Sequence, residues 1–513
     1  EAIADGPGPE GATEELEERL LAAMEAAGWQ REACGEAARE ILGEPAASPE
    51  GAAALISCIS LICGEIVPSL RKTTDEMKNF LHGLRGGFVP PGPSGSPSRG
   101  RAGILPTGRN FYSLDPDSLP GHGAWQTGRR LAEQLLERYR EEKQELPESV
   151  AIVVYAGDTM KTGGDDLAEI LWLYGVRPVW LGNTERVIGL EIIPAEELGR
   201  PRIDVTLRIS GLFRDTFPNL IERIEDAVNL VAALDEPENV NFVKKHVQED
   251  LRRLEQEGMG REEALEQASA RIFGCPPGDY GAGVDTCVAS RKWDSGEDLG
   301  RAYINWSCHV YGRKRHGERW QAAFERRLAS CQVTVKNISS VESDMLDDDD
   351  YYIYHGGLVR AVKNASGYFP DSYSADAADP RSPRTRTLAE DIGRIMQARI
   401  LNPAWIGGLK EHGYRGAAEI SQMTDIVFGW DATGEIVKDW MYEGITELYV
   451  KNPENRRWME EVNPWALHSI AGRLLEAGKR GMWKAGAESL EYLQQIYLEM
   501  EGIAEDEADS FGV

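Results

Sequence analysis

The chain has 513 residues, more than three times the roughly 150 residues of a common domain, which predicts two to four folded units. Lys and Arg number 56 against 85 Asp and Glu, and the formal net charge of -29 sets a field that repels phosphate backbones and anionic lipid headgroups, so no nucleic-acid partner is expected. The longest uncharged stretch near the start, 52–64, is too short to span a bilayer, and Glu1 is followed by no basic and apolar leader, so the sequence reads as a cytoplasmic chain without a membrane span.

Seven cysteines, an odd number with no CxxC pair, argue against a disulfide framework and for a reducing compartment. Cys58 and Cys63, in the run LISCISLIC, read as packed small hydrophobes. In chain order, residues 1–85 form a helical segment, with Leu20, Leu21 and Met24 among its helix-period apolar residues. Residues 86–145 hold a Gly, Pro and Ser-rich loop, 86–110, followed by a helix. That loop is either a solvated linker or a functional loop. Arg99, Arg101 and Arg109 interleave with its glycines and would set fixed cations beside exposed backbone N–H groups that can hold carboxylates.

From 146 to 300 the rhythm changes. ESVAIVVYAG is a short β-branched strand, DDLAEILWLYGV an amphipathic helix, RPVWL a second strand and IDVTLRISG a third. The helix that follows carries Pro218 in its first turn. This β-α-β order predicts an α/β fold with a mainly parallel sheet, flanked by large helical segments in a multi-domain chain. Two charged helices, 238–258 and 261–273, lead to the Gly-rich CPPGDYGAGVD. Region 301–390 contains the strand CQVTVKNI and the acidic run ESDMLDDDDYYIYHGG, and 391–513 is predicted to be mostly helical.

Common nucleotide and hydrolase signatures are absent. Gly103 and Gly108 have P-loop spacing, but Arg109 and Asn110 stand where Lys and Ser or Thr would reach phosphate and magnesium, and HExxH, GxSxG and the kinase set are missing. The polar constellation at 342–357 remains. Adjacent carboxylates raise one another's pKa and favour a neutralising cation, and His355 beside two glycines suits a proton acceptor or nitrogen ligand. The alternative is an acidic run at a helix N-terminus on a solvated face with one structural His. A second cluster, His412 and Glu419 in NPAWIGGLKEHGYRGAAEI, is either part of a site or ordinary helix-end chemistry.

GGFVPPGPSGSPSRGRAGILPTGRNFYSLDP, GVRPVW, GLEIIPAEELGRPRIDVTLRISGLFRDTFPN, DYGAG, DMLDDDDYY, YHGG, NPAWIGGLKEHGYRGAAEI and NPWALHSIAGRLLEAGKRGMW together resemble the large subunit shared by ATP-dependent cobaltochelatases and magnesium chelatases, from about residue 80 to 505. GRNFYSLDP and NPWALHSIAGRLLEA resemble the cobalt branch. The resemblance implies insertion of Co2+, the substrate metal, into a corrin-pathway tetrapyrrole of the hydrogenobyrinate a,c-diamide type in cobalamin biosynthesis. ATP and Mg2+ would be used by two partner AAA+-type subunits and not bound here. The alternatives are Mg2+ insertion into protoporphyrin IX and a non-catalytic tetrapyrrole-binding module.

The same resemblance implies His355 and Glu342 as catalytic residues. It implies His355, Asp344, Asp347 and Asp348 around the metal, and Arg99, Arg101, Arg109, Tyr112, Trp125, Phe213, Arg214, His412 and Glu419 as substrate contacts. The family carries an HGxxE-type motif upstream of the matching part. This chain has none, which leads us to expect an N-terminal half-subunit as a further partner.

Overall fold

The computed structural model describes residues 9–42, 49–99, 101–340 and 342–510. The chain forms two compact units, Glu1–Leu114 and Asp115–Val513. In the first, helices Pro9–Ala26, Arg31–Leu42 and Pro49–Leu61 are followed by a π-helical turn, Ile62–Ile66, and meet around Met24, Cys34, Ile59 and Cys63. Cys63 is buried as the sequence suggests, whereas Cys58 is exposed. Beyond helix Asp75–Leu84 the Gly/Pro loop runs with little regular structure, closed by a short parallel pair, β1 Gly92–Pro93 with β2 Tyr112–Ser113.

The second unit is built on an eight-stranded sheet. In chain order its strands are β3 Ser149–Val154, β6 Asp204–Ile209, β7 Ile272–Gly274, β8 His309–Tyr311, β9 His316–Arg319, β10 Val333–Ile338, β11 Asp371–Asp376 and β12 Arg384–Thr387. A separate antiparallel hairpin consists of β4 Val176–Trp180 and β5 Val187–Ile192. The spatial order is β12-β11-β10-β3-β6-β7-β8-β9, with β11 through β7 parallel and the outer strands antiparallel. β3, β6 and β10 are buried along their whole length, as expected of central strands covered on both faces. Region 301–390 thus shares one sheet with region 146–300.

Three expected elements differ. RPVWL forms β4 but stays out of the main sheet, because the chain turns back at once to pair it with β5. The predicted helix over 261–273 ends at Ser269, and Ile272–Gly274 adds to the sheet beside β6. Helix Asp165–Tyr174 is buried on every side rather than amphipathic, bounded by left-handed glycines at Gly164 and Gly175. The helical C-terminal region repeats one start signal three times: Asn402-Pro403, Asn452-Pro453 and Asn463-Pro464 each place an Asn side chain on the first free N–H groups and a Pro where no donor is needed. Among the described residues, no helix is long and apolar enough to cross a membrane.

Candidate functional site

The strand order reverses at β3: the chain moves from it to β6 and β7 on one side, then returns to β10 and β11 on the other. In an open parallel sheet such a switch point leaves a crevice beyond the carboxyl ends of the strands. A cleft of about 350 Å³ lies there. The segment after β3 supplies Tyr155 to Asp158 and Lys161, that after β6 supplies Ser210 to Leu212, and that after β10 supplies Ser339, Ser340, Ser343, Asp348, Asp350, Tyr351 and Tyr354, with Tyr280 and Gly281 from the Gly-rich loop. A larger groove of about 640 Å³ along helix Pro218–Ala232 is lined by Glu222, Asp226 and Arg313, which pair with one another.

One wall of the cleft is aromatic. Tyr155 meets Tyr351 and Tyr354 edge-on at centroid distances of 6.3 and 5.3 Å, and its hydroxyl donates to the Asp350 carbonyl at 2.9 Å. Tyr351 and Tyr354 belong to a π-helical turn, Tyr351–Gly356, a wide turn that recurs at functional sites. Gly356 and Gly357 allow it to pack: a Cβ on the first would run into Thr433 Oγ1, and on the second into the Tyr303 ring. Leu212 and Tyr280 stay exposed at the rim.

The floor is a buried ion pair. Lys336 Nζ, near the end of β10, donates to Asp158 Oδ2 at 2.6 Å and lies 4.5 Å from the Tyr155 ring centroid, while Ser339 Oγ donates to Asp158 Oδ1 at 2.7 Å. Burial works against the Lys336 charge, but Asp158 and Asp166 outweigh it and hold its pKa above the usual lysine value. Behind Tyr354, the buried Arg208 guanidinium lies 4.8 Å from its ring and donates to the Gly281 carbonyl at 2.9 Å.

The acidic run divides in two. Asp344 and Asp347 fold back on Arg399, at 2.8 Å for Asp344 and at 2.8 and 2.5 Å for the two Asp347 oxygens. Asp348, Asp349 and Asp350 remain exposed, with one carboxylate oxygen of each within 4.8 Å of the others, a spacing that could hold a cation. Partial burial and the neighbouring Asp348, Asp349 and Asp285 charges push Asp350 up to about 6, so it can take or release a proton near neutral pH.

His355 stands elsewhere. It is 1% exposed, edge-on to Trp430 at 6.0 Å, with Nε2 3.0 Å from Thr334 Oγ1. The Thr334 hydroxyl gives its one hydrogen to Ser372, so it accepts from His355 Nε2–H. Burial, reinforced by Lys336, pushes the imidazole down to about 3 and keeps it neutral. The expected set of His355 with Asp344, Asp347 and Asp348 is therefore not brought together, because the π turn directs His355 inward and Arg399 already neutralises Asp344 and Asp347. Glu342 is exposed and does not line the cleft.

The other expected contacts do not line the cleft. Trp125 is buried edge-on to Trp172 and Trp180, and Phe213 is buried against Phe217. Arg214 pairs with Asp215 and donates to the Pro276 and Asp279 carbonyls, which fixes the Gly-rich loop that presents Tyr280. His412 is exposed and Glu419 half-buried in the helical region, and neither lines the cleft. In the first unit Arg99 and Arg101 are half-buried. Arg109 and Tyr112 line a groove of about 710 Å³ with Met77, Phe80 and Leu84.

Sequence reasoning missed Tyr155, Asp158, Lys336 and the serines of 339–343. One available signal was a lysine inside the β-branched strand VTVKNI, where an unpaired charge is too costly to keep.

Residues 8–490 match the family described as CobN/Magnesium Chelatase. The aerobic cobaltochelatase subunit CobN of Pseudomonas aeruginosa is 42% identical over 441 residues, covering 86% of this chain and 35% of that protein. The chloroplastic magnesium-chelatase subunit ChlH of Oryza sativa subsp. japonica is 34% identical over 433 residues, covering 83% of this chain and 30% of that protein. The solved catalytic subunit of cobaltochelatase from Mycobacterium tuberculosis superposes with a TM-score of 0.85 at 42% identity, covering 98% of this chain and 41% of that one. The chain thus spans about a third of the length of the curated relatives it matches. It belongs to the CobN/magnesium chelatase family.

Proposed function

We propose that this chain carries the tetrapyrrole-binding and metal-insertion site of an ATP-dependent cobaltochelatase of the cytoplasm, acting on Co2+ and a corrin-pathway tetrapyrrole of the hydrogenobyrinate a,c-diamide type. Two AAA+-type subunits hydrolyse ATP with Mg2+ and drive the reaction, and an N-terminal half-subunit completes the assembly. Insertion needs the macrocycle held by its face, two pyrrole N–H protons removed and a hydrated ion stripped of water. The Tyr155, Tyr351, Tyr354 and Tyr280 rings hold the face. Ser339, Ser340, Ser343 and Lys161 meet its polar substituents. Asp348 and Asp349 take up the incoming metal, Asp350 receives one pyrrole proton and solvent water carries off the other. By the family resemblance alone, Arg99, Arg101, Arg109 and Tyr112 of the first unit are candidates for contacting acidic groups of a substrate.

The observation that carries this reading is the match, along 98% of the chain at 42% identity, to a protein solved as the catalytic subunit of cobaltochelatase. Cobalt is preferred to magnesium because the P. aeruginosa cobaltochelatase subunit is 42% identical and the O. sativa magnesium-chelatase subunit 34%. The test combines the chain with a pair of AAA+-type chelatase subunits and an N-terminal half-subunit, and follows the tetrapyrrole's absorbance. ATP-dependent turnover with Co2+ and hydrogenobyrinate a,c-diamide supports it. Turnover with Mg2+ and protoporphyrin IX in its place contradicts the choice of metal.

A further inference from the structure

Beneath the cleft, on the other face of β10 from Lys336, lies a second polar cluster. Asn337 Nδ2 donates to Asp166 Oδ1 at 2.8 Å and to Glu169 Oε2 at 2.5 Å. All three side chains are buried, Glu169 completely. Among the described residues, Glu169 Oε1 and Asn337 Oδ1 have no hydrogen-bond partner, and the Asn337 NH2 is already given to Asp166 and Glu169. One proton on Glu169 corrects that shortage of donors and removes a charge that would otherwise sit beside Asp166 in the interior.

The cluster is wired to the cleft. The Asn337 carbonyl accepts from Lys336 Nζ, Lys336 donates to Asp158, and Asp158 accepts from Ser339. Asn337 therefore joins two hydrogen-bond networks at the end of β10, its side chain held by helix Asp165–Tyr174 and its main-chain carbonyl by Lys336, which reaches the cleft through Asp158. We propose that the Asp166–Asn337–Glu169 cluster stores one proton on Glu169 and thereby fixes the Lys336–Asp158–Ser339 wall, making Glu169 a positioning residue whose ionisation loosens the cleft. The consequence for ligand binding rests on the reading of that cleft as the tetrapyrrole site; the consequence for the wall does not.

The charges acting on Glu169 are few. Asp166 on its own helix raises its pKa and Lys336 from β10 lowers it, while burial, the largest effect, pushes it up to about 8. Arg129 of helix His122–Lys143 lies over the Trp172 ring, and Arg200 lies over the same ring and donates to the Trp172 and Leu173 carbonyls at the far end of the helix. Among the described residues, no charged side chain of β4, β6, helix Ala156–Thr162 or helix Pro218–Ala232 is its hydrogen-bond or ion-pair partner. The protonated form dominates below about pH 8, so the wall is held there and released as pH rises beyond it.

The experiment is amide hydrogen exchange on the whole ligand-free chain, wild type against Glu169→Gln, at matched pH. Gln retains an acceptor for Asn337 and cannot ionise. Peptides covering 155–161 and 336–343 are expected to exchange equally in the two proteins at pH 6.5 and several-fold faster in the wild type at pH 9. Equal exchange at pH 9 overturns the proposal, as does faster exchange of Glu169→Gln at pH 6.5. A parallel titration with deuteroporphyrin IX, a dicarboxylated macrocycle, is expected to lose affinity at pH 9 in the wild type only. Exchange that separates as expected supports the proposal even when porphyrin affinity stays flat, a pattern that counts instead against the cleft reading.

Discussion

Lys336 and Asp158 form a buried ion pair, 2.6 Å between Nζ and Oδ2, that ties the end of β10 to helix Ala156–Thr162 after β3, across the switch point of the sheet. The pair carries the floor of the cleft, and breaking it from one side strands a charge. Asp158→Asn is expected to lower unfolding free energy by about 3 kcal/mol, within the range for removing one partner of a buried pair. Adding Lys336→Met should recover most of the loss. Urea denaturation of the two variants checks this, and a double variant no more stable than Asp158→Asn would count against the pair.

His355 predicts an acid limb. Its pKa lies near 3 in the fold against 6.5 unperturbed, so its contribution to stability is complete above about pH 6.5 and falls, by roughly 1.4 kcal/mol per pH unit, as the pH drops toward 3. His355→Gln keeps a polar group toward Thr334 and removes that proton uptake. The variant should therefore lose stability less steeply between pH 6.5 and pH 4 in denaturant titrations. Parallel slopes would mean that His355 is not buried neutral.

The acidic run should separate by function although its members are adjacent. Asp347→Asn breaks the charge-assisted contact with Arg399 and should cost roughly 1–3 kcal/mol with little change in Co2+ affinity. Asp348→Asn touches the exposed trio and should weaken Co2+ binding with stability unchanged. Calorimetric titration with Co2+ and thermal unfolding read the two effects, and equal losses of affinity in both variants would contradict the division.

Much of the fold was legible because local rules agree with it. VAIVV, VTLRI and VTVKNI are β-branched runs that became β3, β6 and β10, and Pro218 opens its helix as expected. Strand order was not legible, since it depends on pairings far apart in sequence, such as Val333 with Val150. The site suffered for the same reason. Lys336 and Asp158 are 178 positions apart, and nothing local announces their meeting. His355 drew notice from its neighbours Tyr354 and Gly356, but the π turn aims it at Thr334 and Trp430. Trp125 and Phe213, chosen as flat surfaces for a ligand, are large apolar rings that the core claimed first.

The central claim is that the cleft at the carboxyl ends of β3, β6 and β10 receives the tetrapyrrole, and Gly157 offers the most direct test. It lines the cleft, its φ needs no glycine, and a Cβ built there meets nothing within 4 Å, so Gly157→Leu adds bulk to the wall without disturbing the packing behind it. The measurement is the affinity of hydrogenobyrinate a,c-diamide, read by its absorbance, for the wild type and for Gly157→Leu at pH 7. The account predicts saturable binding by the wild type and at least a tenfold loss, about 1.4 kcal/mol, in a variant whose melting temperature is unchanged. Equal affinity in the two proteins would contradict it.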